Sequence, residues 1–254
     1  MVEKRGYSLV CHIIEDDGAV ECDLLRNVGA GNISALIWAK SLEKYTNEEK
    51  KKLNDAILQL DVPVMTMDNY GFACEGTDVV FDYRQGGYIA TKHLIDYGHR
   101  RIGCVAGKKN YQVTQERLEG YKMALQEAGI SYDEKLVVYG DYTMNSGYML
   151  FSYIMGKKVT AIFSMNDEMA FGIYRAARMY GVSIPEEVSV VGFDNVPFAD
   201  VMQVPLTTIG IPVEEIGKYI GERTMELIEC TEKKGRNVRE YKPQLLLRGS
   251  TRKI

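Results

Sequence analysis

Two pairs of neighbouring polar residues stand out in this chain of 254 residues, Asn166-Asp167 and Asp194-Asn195. Each follows a short apolar run, Val159 to Phe163 and Val188 to Val191, too short for a helix and suited to a buried strand. Between them Met169, Ala170, Ile173, Tyr174 and Ala177 recur at helical spacing, with Asn166-Asp167 in the capping place. Gly181 stops that helix, and Pro185 follows at the distance expected beyond a C-terminus. Strand, helix, strand is a right-handed unit whose two strands lie parallel. Their C-terminal ends then open on one edge, where α/β sheets bind ligands. Two carboxylates and two amides converging there can accept from and donate to several hydroxyls, which suits a small polyol. Taken singly, the same residues read as an ordinary cap and an ordinary turn. Taken together at one edge, they favour a site.

The elements that would position them alternate along the whole chain. Strands are expected over Gly6–Ile14, Ile33–Ala39, Val62–Met67, Val79–Phe81, Ile102–Ala106 and Leu136–Tyr139. Helices are expected over Ala19–Val28, Glu48–Leu60, Gln85–Tyr97, Gln115–Ala128 and Asn145–Met155. Such alternation calls for parallel sheets covered by helices, an α/β class.

Composition narrows the function classes. Charged residues make up 26% and the formal net charge is −4, so no basic recognition surface for nucleic acid is evident. The clusters at Lys50–Lys52, Arg100-Arg101 and Lys233-Lys234 read as a solvated helix face, a turn and a loop. No apolar run approaches a membrane span and no leader precedes the fold, so a cytoplasmic location is expected. Five cysteines, odd in number and without paired spacing, read as reduced thiols. No catalytic, phosphate-binding or metal-binding motif can be assembled, and neither an enzyme nor a cofactor or metal is expected. His99, just past a helix end where a cation favours the dipole, reads as structural. Arg117 opens a helix; its planar fork could bind hydroxyls, a carboxylate or a phosphate, or simply pair with Glu116 or Asp141.

Several long stretches together resemble the lactose-repressor/galactose-repressor (LacI/GalR) family of bacterial transcription regulators. They are VVFDYRQGGYIATKHLIDYGHRRIGCVAG, QERLEGYKMALQEAGI, AIFSMNDEMAFGIYRAARMYGVSIPEEVSVVGFDN, PLTTI and LLLRGST, in that order. The resemblance implies a two-lobed, periplasmic-binding-protein-like α/β fold, each lobe a parallel sheet flanked by helices. It assigns residues 1–100 plus 211–242 to one lobe and 101–210 plus 243–254 to the other. A sugar-like effector would be trapped in the cleft between the lobes, and its binding would shift a population between two forms. By the motif positions, Asp194, Asn166 and Arg117 would contact the ligand and Tyr142 would stack on it. Tyr111 and Val113 would shape specificity. Both are bulkier or more apolar than the small hydroxyl residues of some relatives, and Ile211 replaces a polar contact, which implies fewer hydroxyl partners on one side. Asp194 would read ligand hydroxyls without holding the fold together.

The resemblance also implies a homodimer, with Met202 and Val204 at the interface, and operator DNA bound through an N-terminal domain that precedes the region matched here. The sequence is expected to start inside its own fold, lacking a central strand between Tyr7–Ile14 and Ile33–Ala39. A free-standing sugar-binding receptor is the alternative reading; the LLLRGST ending favours the regulator.

Overall fold

In the computed structural model, residues 2–12, 25, 33–39, 45–68, 77–229 and 237–254 are described. Contacts divide the chain into two compact units, Met1–Phe81 with Pro212–Tyr241, and Asp82–Ile211 with Lys242–Ile254.

The first unit carries a four-stranded parallel sheet in the order β1-β2-β3-β9, with β1 at Leu36–Trp38, β2 at Val64–Met67, β3 at Thr77–Phe81 and β9 at Asn237–Tyr241. Helix α1, Asn47–Leu58, begins at a reciprocal capping box: Thr46 accepts from the Glu49 amide, and the Glu49 carboxylate accepts from the Thr46 amide. Its Leu53 and Ile57 join Leu25, Trp38 and Tyr45 in a buried cluster. The strand expected over Gly6–Ile14 does not form in its described part. Among the described residues, 7–12 have no ladder partner, and Leu9 and Val10 are exposed. An apolar run becomes a strand only where a neighbour meets its N–H and C=O groups, and no described residue does so here. The helix expected over Ala19–Val28 lies outside the described residues, apart from Leu25.

The second unit is built on a six-stranded sheet in the order β10-β8-β7-β6-β4-β5. Its strands are β4 (Ile102–Ala106), β5 (Val137–Tyr139), β6 (Ala161–Ser164), β7 (Ser189–Asp194), β8 (Thr207–Gly210) and β10 (Gln244–Leu246). All pairs are parallel except β10 with β8, so the sheet is mixed at one edge where a wholly parallel one was expected. Helices α2 (Tyr83–Asp96) and α3 (Gln112–Glu127) pack together, as do α4 (Met144–Met155) and α5 (Asp167–Tyr180). Helix α6, Val213–Glu229, belongs to the first unit. A boundary near residue 100 was expected; the chain instead leaves the first unit after Phe81, because α2 packs on α3 and against β7 and β8.

The chain end is seated in the second unit. Ser250 Oγ donates to the Val190 carbonyl at 2.6 Å and accepts from the Thr207 amide at 2.8 Å. His93 Nε2 shares a hydrogen bond with Thr251 Oγ1 at 2.9 Å. His99 is buried and engages Thr160, Ser189 and the Arg252 carbonyl. His99 is structural, as the sequence suggests, but not as the cation past a helix end on which that reading rests. Burial instead lowers its pKa and favours the neutral ring.

Burial also lowers His93 to about 4, against the weaker opposing pull of Asp96. Its folded value lies below the unfolded 6.5, so the stability it contributes is full above pH 6.5 and is lost as pH falls through about 4. The total is on the order of 3 kcal/mol. Melting temperatures between pH 7 and pH 4 are expected to fall less steeply in His93→Gln than in the parent; parallel curves would contradict the assignment.

Candidate functional site

In the second unit the chain runs from β4 out to β5 and then back to β6 on the other side of β4. Loops leaving the C-terminal ends of β4 and β6 diverge at such a reversal and open a crevice, the place where ligands bind in open α/β sheets. Every residue singled out for ligand contact lies on segments leaving this edge of the sheet.

Arg117 is the centre. It lies in the second turn of α3, which starts three residues before the expected Gln115, and it is 5% exposed. One guanidinium nitrogen donates to the Met165 carbonyl just beyond β6, and Nη2 pairs with Asp194 Oδ1 at 3.2 Å. The guanidinium lies 3.8 Å from the centroid of the Phe193 ring and 4.9 Å from that of Tyr83. Its Nε has no hydrogen-bond partner. The partners suggested by sequence proximity, Glu116 and Asp141, are not the ones used. Glu116 accepts from Gln112, and the Asp141 carboxylate accepts from the amide and hydroxyl of Thr143 while its own amide donates to Ser146 Oγ; hydrogen bonding by these neighbours holds its carboxyl at about 2.

Asp194 ends β7 and keeps about a third of its side chain exposed. Burial raises its carboxyl above the usual range, while the Arg117 charge and hydrogen bond pull it back in part. Because it pairs with a buried arginine, Asp194 also bears on the fold, against the expectation that it reads ligand hydroxyls without holding the fold together. Asp194 and Asn195 both have positive φ, 104° and 57°, where non-glycine residues are strained.

Asn166 fills the capping role and the site role together. Its Oδ1 accepts from the Met169 amide at 2.9 Å, and its Nδ2 donates to the Tyr142 carbonyl at 2.9 Å. One N–H and one lone pair remain for a further partner. Tyr142, also at positive φ, shares a 2.6 Å hydrogen bond with Thr114 Oγ1, and its ring lies against Gly107, where a Cβ would overlap the ring. Tyr111 is half-buried with its ring centroid 6.4 Å from that of Tyr142, and its hydroxyl has no partner. Val113 is half-buried one turn before Arg117, and Ile211 is half-buried just past β8.

The other expected pair members turn inward. Asp167 is fully buried; its Oδ2 accepts from the Val196 amide at 2.9 Å and its Oδ1 from Thr208 Oγ1 at 2.6 Å. Asn195 Oδ1 accepts from Arg248 at 2.7 Å. The predicted convergence of two carboxylates and two amides therefore leaves one carboxylate, Asp194, with solvent access. Sequence reasoning missed Phe193, Tyr83 and Thr114. Phe193 sits inside the Gly-Phe-Asp-Asn stretch and could have been flagged; nothing marks the other two. Among the described residues no cluster could hold a metal ion. No helix among them is long and apolar enough to cross a membrane.

Comparison with known proteins decides the family. Residues 91–251 match the periplasmic binding protein-like domain. The repressor PurR of Vibrio campbellii is 34% identical over 256 residues, covering 99% of this chain and 74% of that protein. The chain belongs to the LacI/GalR family of transcription regulators. The regulator DegA of Bacillus subtilis is 30% identical, covering 98% of this chain and 73% of DegA. A solved complex of the transcriptional regulator CelR with cellobiose is 28% identical with a TM-score of 0.84, covering 98% of this chain and 75% of that one. The chain is thus the effector-binding part of a transcription regulator and not an enzyme.

Proposed function

We propose that this LacI/GalR-family chain senses a small sugar-like effector at the C-terminal edge of the second unit's sheet. The observation that carries the reading is Arg117, buried on Phe193 and tied to an Asp194 carboxylate that keeps solvent access. Such a carboxylate accepts from two adjacent hydroxyls while Arg117 holds its second face. Asn166 adds one donor and one acceptor, and the rings of Tyr142 and Tyr111 offer apolar faces of the kind sugar rings pack on. Tyr111 and Val113 supply the specificity: the bulky ring and the apolar branch narrow that side of the site, and the unpaired Tyr111 hydroxyl offers it a single polar partner. CelR, solved with cellobiose, supports a saccharide as the ligand class.

Regulation by such a ligand requires different affinities for two forms of the protein. We further propose a two-fold homodimer. Phe198 and Val201 are 68% and 71% exposed, while Met202 and Val204 beside them are half-buried. An exposed apolar loop of this kind suits an isologous contact.

A thermal-shift panel of D-ribose, D-glucose, D-galactose and cellobiose is expected to contain at least one sugar that raises the melting temperature. Calorimetry with that sugar should show Asp194→Asn weakening affinity about ten- to a hundredfold. A panel without a stabilising sugar, or unchanged affinity in Asp194→Asn, would overturn the reading. Light scattering at micromolar concentration should give twice the chain mass, reduced toward the monomer in Val201→Asp; a monomeric parent would refute the dimer.

A further inference from the structure

We infer that Asp167, which lies too deep to meet a ligand, is a positioning residue that holds Asp194 in its reading position; this rests on the reading of Asp194 as a ligand contact. Two consecutive non-glycine residues at positive φ, Asp194 and Asn195, persist only if their surroundings over-determine the turn. The structure supplies two holds on it. Asp167 reaches across from the start of α5 and accepts the Val196 amide, the first backbone donor after the strained pair. Thr208 on β8 donates to the other oxygen of the same carboxylate and fixes its rotamer. From the opposite side, Arg248 donates to Asn195 Oδ1 at 2.7 Å and to the Leu206 carbonyl at 2.8 Å.

The fit around Asp167 is close. At Gly192, directly in β7, a Cβ would stand 2.2 Å from Asp167 Oδ1, so only glycine lets the strand run past the carboxylate. Burial pushes the Asp167 carboxyl up to about 6, partly offset by its bonds to Thr208 and Val196, so near neutral pH it is largely ionised. Its bond to the Val196 amide is then charge-assisted and roughly twice as strong as a neutral one. A fully buried carboxylate used only for packing would be a costly choice; one that grips a strained turn beside the ligand-reading carboxylate has a reason to be there.

The test is made without any sugar, so its outcome is separate from that of the saccharide panel. Amide hydrogen exchange and the Arg117 Nη–H resonance of the nitrogen that pairs with Asp194 are followed by nuclear magnetic resonance in the parent, Asp167→Asn and Thr208→Val. Exchange at Val196 should accelerate about tenfold in Asp167→Asn and by a smaller factor in Thr208→Val, while Ile162 and Phe163 in β6 keep parent rates. The Arg117 resonance, which reports pairing with Asp194, should shift in both variants. Thr208→Val removes one hydroxyl and touches no turn residue, so it keeps the test alive if Asp167→Asn folds poorly. Val196 exchange rising no more than that of β6 would overturn the inference. So would an Arg117 resonance that stays in place while the turn loosens, since Asp167 would then hold the turn and not Asp194.

Discussion

The arrangement of the second unit depends on keeping one arginine charged while burying it. A guanidinium cannot shed its proton, so Arg117 must find compensation on the spot. It finds three kinds: the Asp194 carboxylate, the Met165 carbonyl and the face of Phe193. Cation–ring contact of this kind contributes about 0.5–2 kcal/mol, growing as water is excluded. The partners come from two neighbouring strands. Met165 leaves β6, Phe193 and Asp194 end β7, and Arg117 itself stands on α3. Meeting one charge therefore sets how two strands end and one helix begins at one edge.

That requirement explains the strain around it. Bringing Asp194 to Arg117 turns the backbone into positive φ at Asp194 and Asn195, and holding Tyr142 over Gly107 does the same at Tyr142. Three non-glycine residues in the left-handed region gather at one sheet edge, the edge at which we propose the effector binds, and such conformations are kept where geometry matters more than local stability. Asn166 illustrates the economy of the place: one side chain caps α5 with its oxygen and fixes the Tyr142 loop with its nitrogen. At the proposed site a ligand would meet groups already aligned, which limits the ordering cost of binding.

Much of this was legible in the sequence, and the reason differs by residue. The apolar runs before Asn166 and Asp194 announced strands, and the helix between them announced a parallel pair, so the edge itself followed from periodicity and handedness. Membership of the LacI/GalR family was legible in long motifs. The partner of Arg117 was not, because Asp194 lies 77 residues away while Glu116 and Asp141 offered nearer charges. The inward turn of Asp167 was also hidden: a cap sequence says that a polar residue starts a helix, not which way its neighbour's carboxylate faces. The strand expected over Gly6–Ile14 is absent from its described residues for a different reason, since an apolar run states a tendency and a ladder partner decides it.

The most direct measurement is a crystal structure of the chain grown with the sugar that most raises its melting temperature. The bound sugar is expected to place two hydroxyls within about 3.2 Å of the Asp194 carboxylate, with a ring face against Tyr142 or Tyr111 and Arg117 still on Phe193. A sugar bound away from Asp194, or held at that edge with no contact to Asp194 or Asn166, would contradict the assignment of this site.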